Sequence, residues 1–276
     1  MAVELATEFL PYVDEQFKAE SKRELITNHD FEFTGAHTVK VYKVSTSTMN
    51  DYDRDGTGSN ASRYGQVQGL DATTETFVLK KDRSFTFAID KLDTDESKMA
   101  LQAGSALARQ LREVVIPEID TYVYNNVVSG AGHTETGSLT EANVYDAILQ
   151  ATKTLDTAEI PETNRVLLVT PDTYMIMKKN SLIVMATEVG QDMRKLGVIG
   201  MLDGATIIKV PQNRLPEKVN FVLVHPSATV APVKLTDYTV HQNPPGISGD
   251  LIEGRVTYDA FVLENKTKGI YVHKSK

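Results

Sequence analysis

Three aspartates at alternate positions have the spacing in this chain that most resembles a metal site. Asp51, Asp53 and Asp55, followed by Gly56, reproduce the first half of the calcium loop DxDxDG, in which carboxylate oxygens surround a hard cation. That loop carries a bidentate glutamate at its twelfth position, which is Ser62 here, and no helical pattern flanks the segment. Two interpretations stay open: a calcium site, or an acidic turn at a hairpin tip.

Two tyrosines and two arginines surround these aspartates. Tyr and Arg are enriched where proteins contact one another, because they combine a large contact area with polar groups at the tip. We therefore predict that this stretch contacts another subunit through Tyr52, Arg54, Arg63 and Tyr64.

The other motifs that could carry chemistry fail at a required position. Residues 246–250 read GISGD and lack the last glycine of the nucleophile elbow GxSxG. Residues 132–138 read GHTETGS, with serine where a phosphate-binding loop requires lysine, which favours a flexible linker. The six histidines show no metal-binding pair spacing, and the chain has no cysteine. We predict no catalytic residue and no cofactor.

The acidic stretch lies between segments of strand character. Residues 38–44 are rich in β-branched side chains, and residues 73–79 and 84–89 supply the returning strands. The glycine-rich stretch between them exceeds twenty residues, which is unusual in a compact domain unless it binds something. We predict a long hairpin over 38–90 whose outer part, about 44–77, projects.

A long amphipathic helix is predicted from Asp93 to Val128, roughly 50 Å if continuous. Asp93 and Glu96 have capping-box spacing, and Pro117 predicts a kink because it removes a backbone donor and crowds the carbonyl of Glu113. The following apolar positions recur on one side and are expected to face inward: Met99, Ala103, Leu107, Leu111, Val114, Val115, Ile119 and Val123.

The remaining segments divide into an arm, a central block and a tail. Residues 1–37 hold too little apolar surface for a core, with a short helix predicted from Tyr12 to Ile26. Residues 135–235 alternate helix and strand, with a capping box at Ser138 and Glu141 opening the first helix. The tail, 236–276, returns to strand character and suggests a second layer built from distant segments.

Composition narrows the functional classes. With 29 Lys and Arg against 37 Asp and Glu, the net charge is −8, which argues against a dedicated reader of duplex DNA. No apolar run reaches the length of a membrane span, and the acidic N-terminus is unlike a signal peptide. We therefore predict a soluble protein without a membrane partner.

Taken together, these segments resemble the major capsid protein of tailed bacteriophages, of the group found in phages and prophages of Gram-positive bacteria. The resemblance covers nearly the whole chain in order and rests on 26–56, 62–65, 79–97, 115–125 and 254–273. It implies an α+β fold, shared with herpesvirus capsid floors and encapsulins. Its expected parts are an N-terminal arm (1–37), an extended hairpin loop (about 44–77), a long spine helix (about 94–128), an α/β axial domain (135–235) and a peripheral domain (91–134 with 236–276).

The resemblance also implies a function without enzymatic activity. Hexamers and pentamers of the chain would close into an icosahedral shell around double-stranded DNA, bound without sequence specificity. Expected partners are the chain itself, a scaffolding protein and a portal during assembly, and a decoration protein. The shell would be part of the virion and assemble in the bacterial cytoplasm. Because the chain begins with Met1 directly at the arm, we expect the scaffolding protein to be separate.

Two other functions stay open at this stage. An encapsulin-like compartment would share the fold and enclose enzyme cargo instead of DNA. A soluble α/β enzyme could use the central block, although that block lacks a nucleophile, metal or phosphate constellation. The first is distinguished by the content of the particles, and the second by monomeric behaviour in solution.

Overall fold

A computed structural model describes residues 21–28, 38–44, 46–56, 62–66, 69, 71–92, 103–183 and 198–276. The capping box at Asp93 and Glu96, position Met99 and most of the predicted helix Tyr12–Ile26 lie outside these residues. Within that helix, Arg23–Ile26 forms a 3₁₀ turn. The chain divides into two compact units, one of residues 33–79 and one of residues 1–32 with 80–276.

The smaller unit contains an antiparallel pair of strands, β1 (Thr38–Val44) and β2 (Ala72–Val78). Their register runs from Thr38 opposite Val78 to Val44 opposite Ala72. Lys43 and Glu75 form an ion pair across the two strands at 3.1 Å. The predicted pairing of the first two strand segments is therefore confirmed.

The long helical segment consists of α1 (Ala103–Gln110), a π-helical turn (Leu111–Val115) and α2 (Ile116–Ser129). The N–H of Ile116 donates to the carbonyl of Leu111, five residues back. The irregular turn lies directly before Pro117, which cannot donate to the carbonyl four residues back. The disturbance predicted at Pro117 therefore takes the form of a wider turn on its N-terminal side.

Only the C-terminal half of this segment buries the predicted apolar stripe. Ile119 and Val123 are buried, whereas Leu107 and Leu111 are half-buried and Val114 is 47% exposed. The inward orientation predicted for Val114 is therefore wrong. The π-helical turn changes the angular spacing of the side chains there, so a pattern based on 3.6 residues per turn no longer predicts which one faces inward.

A six-stranded sheet forms the centre of the larger unit, in the order β4-β13-β8-β5-β7-β6. These strands are β4 (His133–Thr136), β5 (Val166–Val169), β6 (Val198–Leu202), β7 (Ala205–Lys209), β8 (Val219–Val224) and β13 (Ile270–Lys274). Alternate residues of β5 belong to different hydrophobic cores, one on each face of the sheet. Val166 and Leu168 lie in the core that contains α2, whereas Leu167 and Val169 lie in the core that contains the helices of the other face. The sheet is thus covered on both faces.

The helices of that other face are α3 (Val144–Thr157) and α4 (Pro171–Lys179). The predicted buried face of α3 is confirmed at Val144, Ile148, Ala151 and Leu155. Its predicted capping box is wrong: α3 begins after Asn143, whose side-chain amide bonds the preceding turn at Ser138 and Thr140. Pro171 opens α4 as predicted, and the Thr170 hydroxyl accepts the N–H of Thr173.

A three-stranded antiparallel sheet has the order β10-β11-β3, and a small pair joins β9 (Thr229–Val230) to β12 (Phe261–Val262). The three strands are β3 (Lys81–Asp90), β10 (Val233–Gln242) and β11 (Gly249–Tyr258). Residues 84–89, predicted to belong to the returning strand of the hairpin, instead lie in β3, which pairs with β11. The predicted layer built from distant segments is present, because this sheet joins residues more than 140 positions apart.

Candidate functional site

The outer part of the hairpin brings the four predicted contact residues together. The rings of Tyr52 and Tyr64 meet edge to face, with centroids 5.1 Å apart and planes at 70°. The N–H of Asp53 donates to the carbonyl of Arg63 at 2.9 Å, and the Asn50 side chain donates to the carbonyl of Tyr64 at 3.3 Å. Residues 50–56 and 62–65, the tip segment, therefore pack against each other.

One glycine makes this close approach possible. Gly65 has a φ of +89°, and a Cβ built there would lie 2.6 Å from the Cβ of Asn50. Any other residue would meet both a steric clash and an unfavourable backbone conformation. The position of Tyr64, the residue directly before Gly65, therefore depends on this glycine.

The tip segment displays its large side chains to solvent. Tyr64 is 79% exposed, Tyr52 is 54% exposed, and Arg54 and Arg63 are exposed as well. Exposed aromatic side chains beside arginines are typical of a surface that a partner covers. The geometry of the tip segment thus suits protein contact.

The three aspartates do not converge as a calcium loop requires. The Asp53 side chain accepts the N–H of Gly56 at 2.8 Å, while Asp51 and Asp55 are exposed. In the described part of the chain, no group of three or more acidic or histidine side chains is arranged to hold a metal ion. The Asp53–Gly56 hydrogen bond is the local contact of an acidic turn.

The buried carboxylate of Asp259, which no sequence pattern indicates, binds the backbone of Lys80, the residue directly after the smaller unit. Asp259 is 2% exposed, and its Oδ2 accepts the N–H of Lys80 at 2.8 Å. Its Oδ1 accepts the hydroxyl of Tyr122 and the N–H of Ala260, each at 2.8 Å. Burial, and then the hydrogen bond to Asp259, raises the pKa of Tyr122. Asp259 thereby joins the start of β3 to α2.

A second polar group links α2 to the three-stranded sheet. Glu118 accepts from the Arg83 guanidinium at 2.8 Å and from the Tyr258 hydroxyl at 3.1 Å. Burial, and then the nearby Glu118 carboxylate, raises the pKa of Tyr258 to about 12. Tyr258 therefore keeps its proton at neutral pH and remains the donor in this contact.

The segment 132–138, interpreted as a linker, is partly a strand. Residues His133–Thr136 form β4, which pairs in parallel with β13 from Tyr271 to Lys274. On the neighbouring strand, His273 is 3% exposed and its ring stacks on Phe221 with centroids 5.1 Å apart. The linker interpretation is therefore wrong for β4, which extends the sheet beyond the C-terminal strand.

Acidification is expected to destabilise this sheet through His273. Burial lowers the pKa of His273, opposed by the Glu135 carboxylate, so the neutral ring contributes stability above the unfolded pKa. That contribution is lost as pH falls from about 6.5 through the lower folded pKa. The melting temperature should therefore be lower near about pH 5 than near about pH 7.5.

His273→Gln provides the matched control for that measurement. The glutamine side chain does not titrate, and its oxygen can replace the ring Nδ1 that lies 3.0 Å from the side-chain nitrogen of Asn220. The loss of thermal stability between the two pH values should be smaller in this variant. An equal loss in both proteins would contradict the assignment.

None of the described helices combines the length and apolar character that crossing a bilayer requires. A model of the family described as phage capsid protein matches residues 71–272. Since this match spans well over half of the 276 residues, the chain belongs to the phage capsid protein family. It is a structural protein of the capsid, as the resemblance implied.

Solved structures share the fold along nearly the whole chain. The structure from Mycobacterium phage Che8 is 21% identical, with a TM-score of 0.71 over 98% of this chain and 97% of its own. The structure from Microbacterium phage Oxtober96 is 14% identical, with a TM-score of 0.73 over 99% of this chain and 96% of its own. The asymmetric unit of the bacteriophage PhiM1 mature capsid is 12% identical, with a TM-score of 0.71 over 98% and 92%.

These comparisons confirm the α+β fold of phage major capsid proteins predicted from the sequence. No curated protein sequence matches the chain.

Proposed function

We propose that this chain is the major shell protein of a phage head, forming hexamers and pentamers that close into an icosahedral shell around double-stranded DNA. The family match over residues 71–272 carries the proposal. The exposed tyrosines and arginines of the tip segment support it, because a shell subunit must present surfaces that its neighbours cover. Each contact is individually modest, and many simultaneous contacts make the shell stable.

In this proposal the parts of the chain have separate roles. Residues 1–37 are the arm, about 44–77 the extended loop, about 94–128 the spine, 135–235 the axial domain, and 91–134 with 236–276 the peripheral domain. The tip segment contacts a neighbouring subunit through Tyr52, Arg54, Arg63 and Tyr64. The chain performs no catalysis and holds no cofactor.

The proposed partners follow from the same assembly. A scaffolding protein and a portal act during assembly in the cytoplasm of the host, which we propose to be a Gram-positive bacterium. The finished shell encloses DNA without sequence specificity, and a decoration protein binds its outside.

The experiment that tests this function is electron microscopy of the purified protein, together with an assay of particle content. Closed shells of uniform size, containing nuclease-protected DNA when isolated from producing cells, are the expected result. Shells that enclose enzyme cargo instead of DNA would favour the encapsulin-like compartment. A protein that stays monomeric at every concentration and salt condition would overturn the proposal.

The shell should hold together without covalent cross-links. Some capsids of this fold join a loop lysine to an asparagine, but no lysine occurs between Lys43 and Lys80 here. The chain also has no cysteine, so disulfides cannot form. Particles boiled in detergent should therefore give one band near 30.5 kDa. A ladder of multimers that survives boiling would contradict this expectation.

A further inference from the structure

One fully buried carboxylate on α2 joins three segments that lie far apart in the chain. Asp120 is 0% exposed. Its Oδ1 accepts from the hydroxyl of Ser21 at 2.7 Å and from the guanidinium of Arg23 at 3.2 Å. Its Oδ2 accepts from the guanidinium of Arg214 at 2.8 Å. Two of these donors come from residues 21–28, the root segment, and the third comes from the turn between β7 and β8.

The root segment crosses between α2 and the strands beside it. Ile26 is 0% exposed and belongs to the core that α2 forms with the six-stranded sheet. The hydroxyl of Thr229 donates to the carbonyl of Ile26, and the N–H of Asn28 donates to the carbonyl of Thr229 at 2.7 Å. Near its other end, the Lys22 ammonium donates to the carbonyl of Lys209 at 3.1 Å. The segment therefore contacts α2, β7 and β9 at once.

The two carboxylate oxygens of Asp120 have different partners, and this difference determines what is lost if the root segment detaches. The root segment uses Oδ1, while Arg214, which is 5% exposed, uses Oδ2. If the root segment left, Asp120 would keep the Arg214 guanidinium, so no uncompensated buried charge would result. The side chain of Arg23 is already 18% exposed and would become hydrated. Release would therefore cost the burial of Ile26, a few hydrogen bonds and the Arg23–Asp120 ion pair, while the more deeply buried Asp120–Arg214 pair stays intact.

We propose that the root segment is a releasable latch, which opens as a unit while the Asp120–Arg214 pair, α2 and the six-stranded sheet stay folded. When closed, it joins α2 to β7 and β9. When open, it breaks these contacts without unfolding the core. The latch belongs to the single subunit and does not depend on shell formation.

Amide hydrogen exchange on the full-length unassembled subunit tests the latch, because exchange in the fast-reclosing regime reports the opening equilibrium of each region. The N–H groups of Leu25 and Asn28 report on the root segment, and those of β8 report on the central sheet. In the wild-type protein the root amides should exchange at least about 100-fold faster than the β8 amides. Ile26→Ala should accelerate the root amides by a further factor of about 100, because it destabilises the closed latch and not the open one.

Arg23→Met provides a second variant in case Ile26→Ala does not fold. It removes a root contact to Oδ1 and keeps Arg214 on Oδ2, so it should accelerate exchange of the root amides and keep them faster than the β8 amides. Two outcomes would overturn the latch. In one, the root and β8 amides of the wild-type protein have the same opening equilibrium, which makes the segment part of one cooperative unit. In the other, neither variant changes exchange of the root.

Discussion

Asp120→Ala is expected to lower the free energy of unfolding by about 3–5 kcal/mol, because it removes the carboxylate from a buried ion pair. Asp120 is 0% exposed and Arg214 is 5% exposed, with 2.8 Å between Oδ2 and the guanidinium. Without the carboxylate, the Arg214 charge stays in the protein interior and loses the partner that compensates its desolvation. Urea unfolding followed by circular dichroism measures the change.

An exposed ion pair on the same helix provides the control. Arg83 bonds Glu118 at 2.8 Å, with side chains 63% and 40% exposed. Arg83→Ala should therefore change the free energy of unfolding by only about 0–1 kcal/mol, since water screens and solvates both charges. Equal, small effects of the two substitutions would show that the Asp120 network contributes little to the folded state.

Apolar spacing and capping residues correctly predicted those helices and strands that bury the same face along their whole length. The α3 face with Ile148 and Leu155, the buried strand β5 and the helix start at Pro171 all follow from apolar spacing and capping chemistry. The tip residues could be chosen by type alone, because Tyr and Arg in a polar, glycine-rich stretch have few structural roles. Their convergence, with the two tyrosine rings in contact, required the backbone path that Gly65 permits.

Long-range pairing explains what the sequence could not predict. β13 is an ordinary apolar strand in sequence, and only the fold places it between β4 and β8. Asp120, in the sequence EIDTY, and Asp259, in VTYDA, have no local feature that distinguishes them from solvent-facing aspartates, and nothing in the sequence indicates donors 94 to 179 residues away. The exposure of Val114 has a different cause, because the π-helical turn alters the helical period on which the prediction relied.

Replacing residues 50–66 by a short Gly-Ser linker is expected to abolish shell formation while leaving the subunit folded. The replaced residues belong to the smaller compact unit, 33–79, and the two cores of the larger unit contain none of them. The melting temperature of the larger unit should therefore stay close to that of the wild type. Sedimentation should find small oligomers or monomers in place of shells, since the replacement removes both tyrosines and both arginines of the tip segment.

A milder variant separates the loss of contact residues from the loss of loop length. Tyr52→Ala with Tyr64→Ala keeps the chain length and Gly65, and removes the two aromatic side chains that are 54% and 79% exposed. Truncating an exposed pair costs the free subunit little, whereas truncating an aromatic residue buried at a contact costs about 2 kcal/mol or more. That cost recurs at every subunit, so the concentration needed for assembly should rise about tenfold or more. Wild-type assembly by both variants would show that the tip segment is not a subunit contact, whereas failure of the linker variant alone would assign the contact to the backbone and to Arg54 and Arg63.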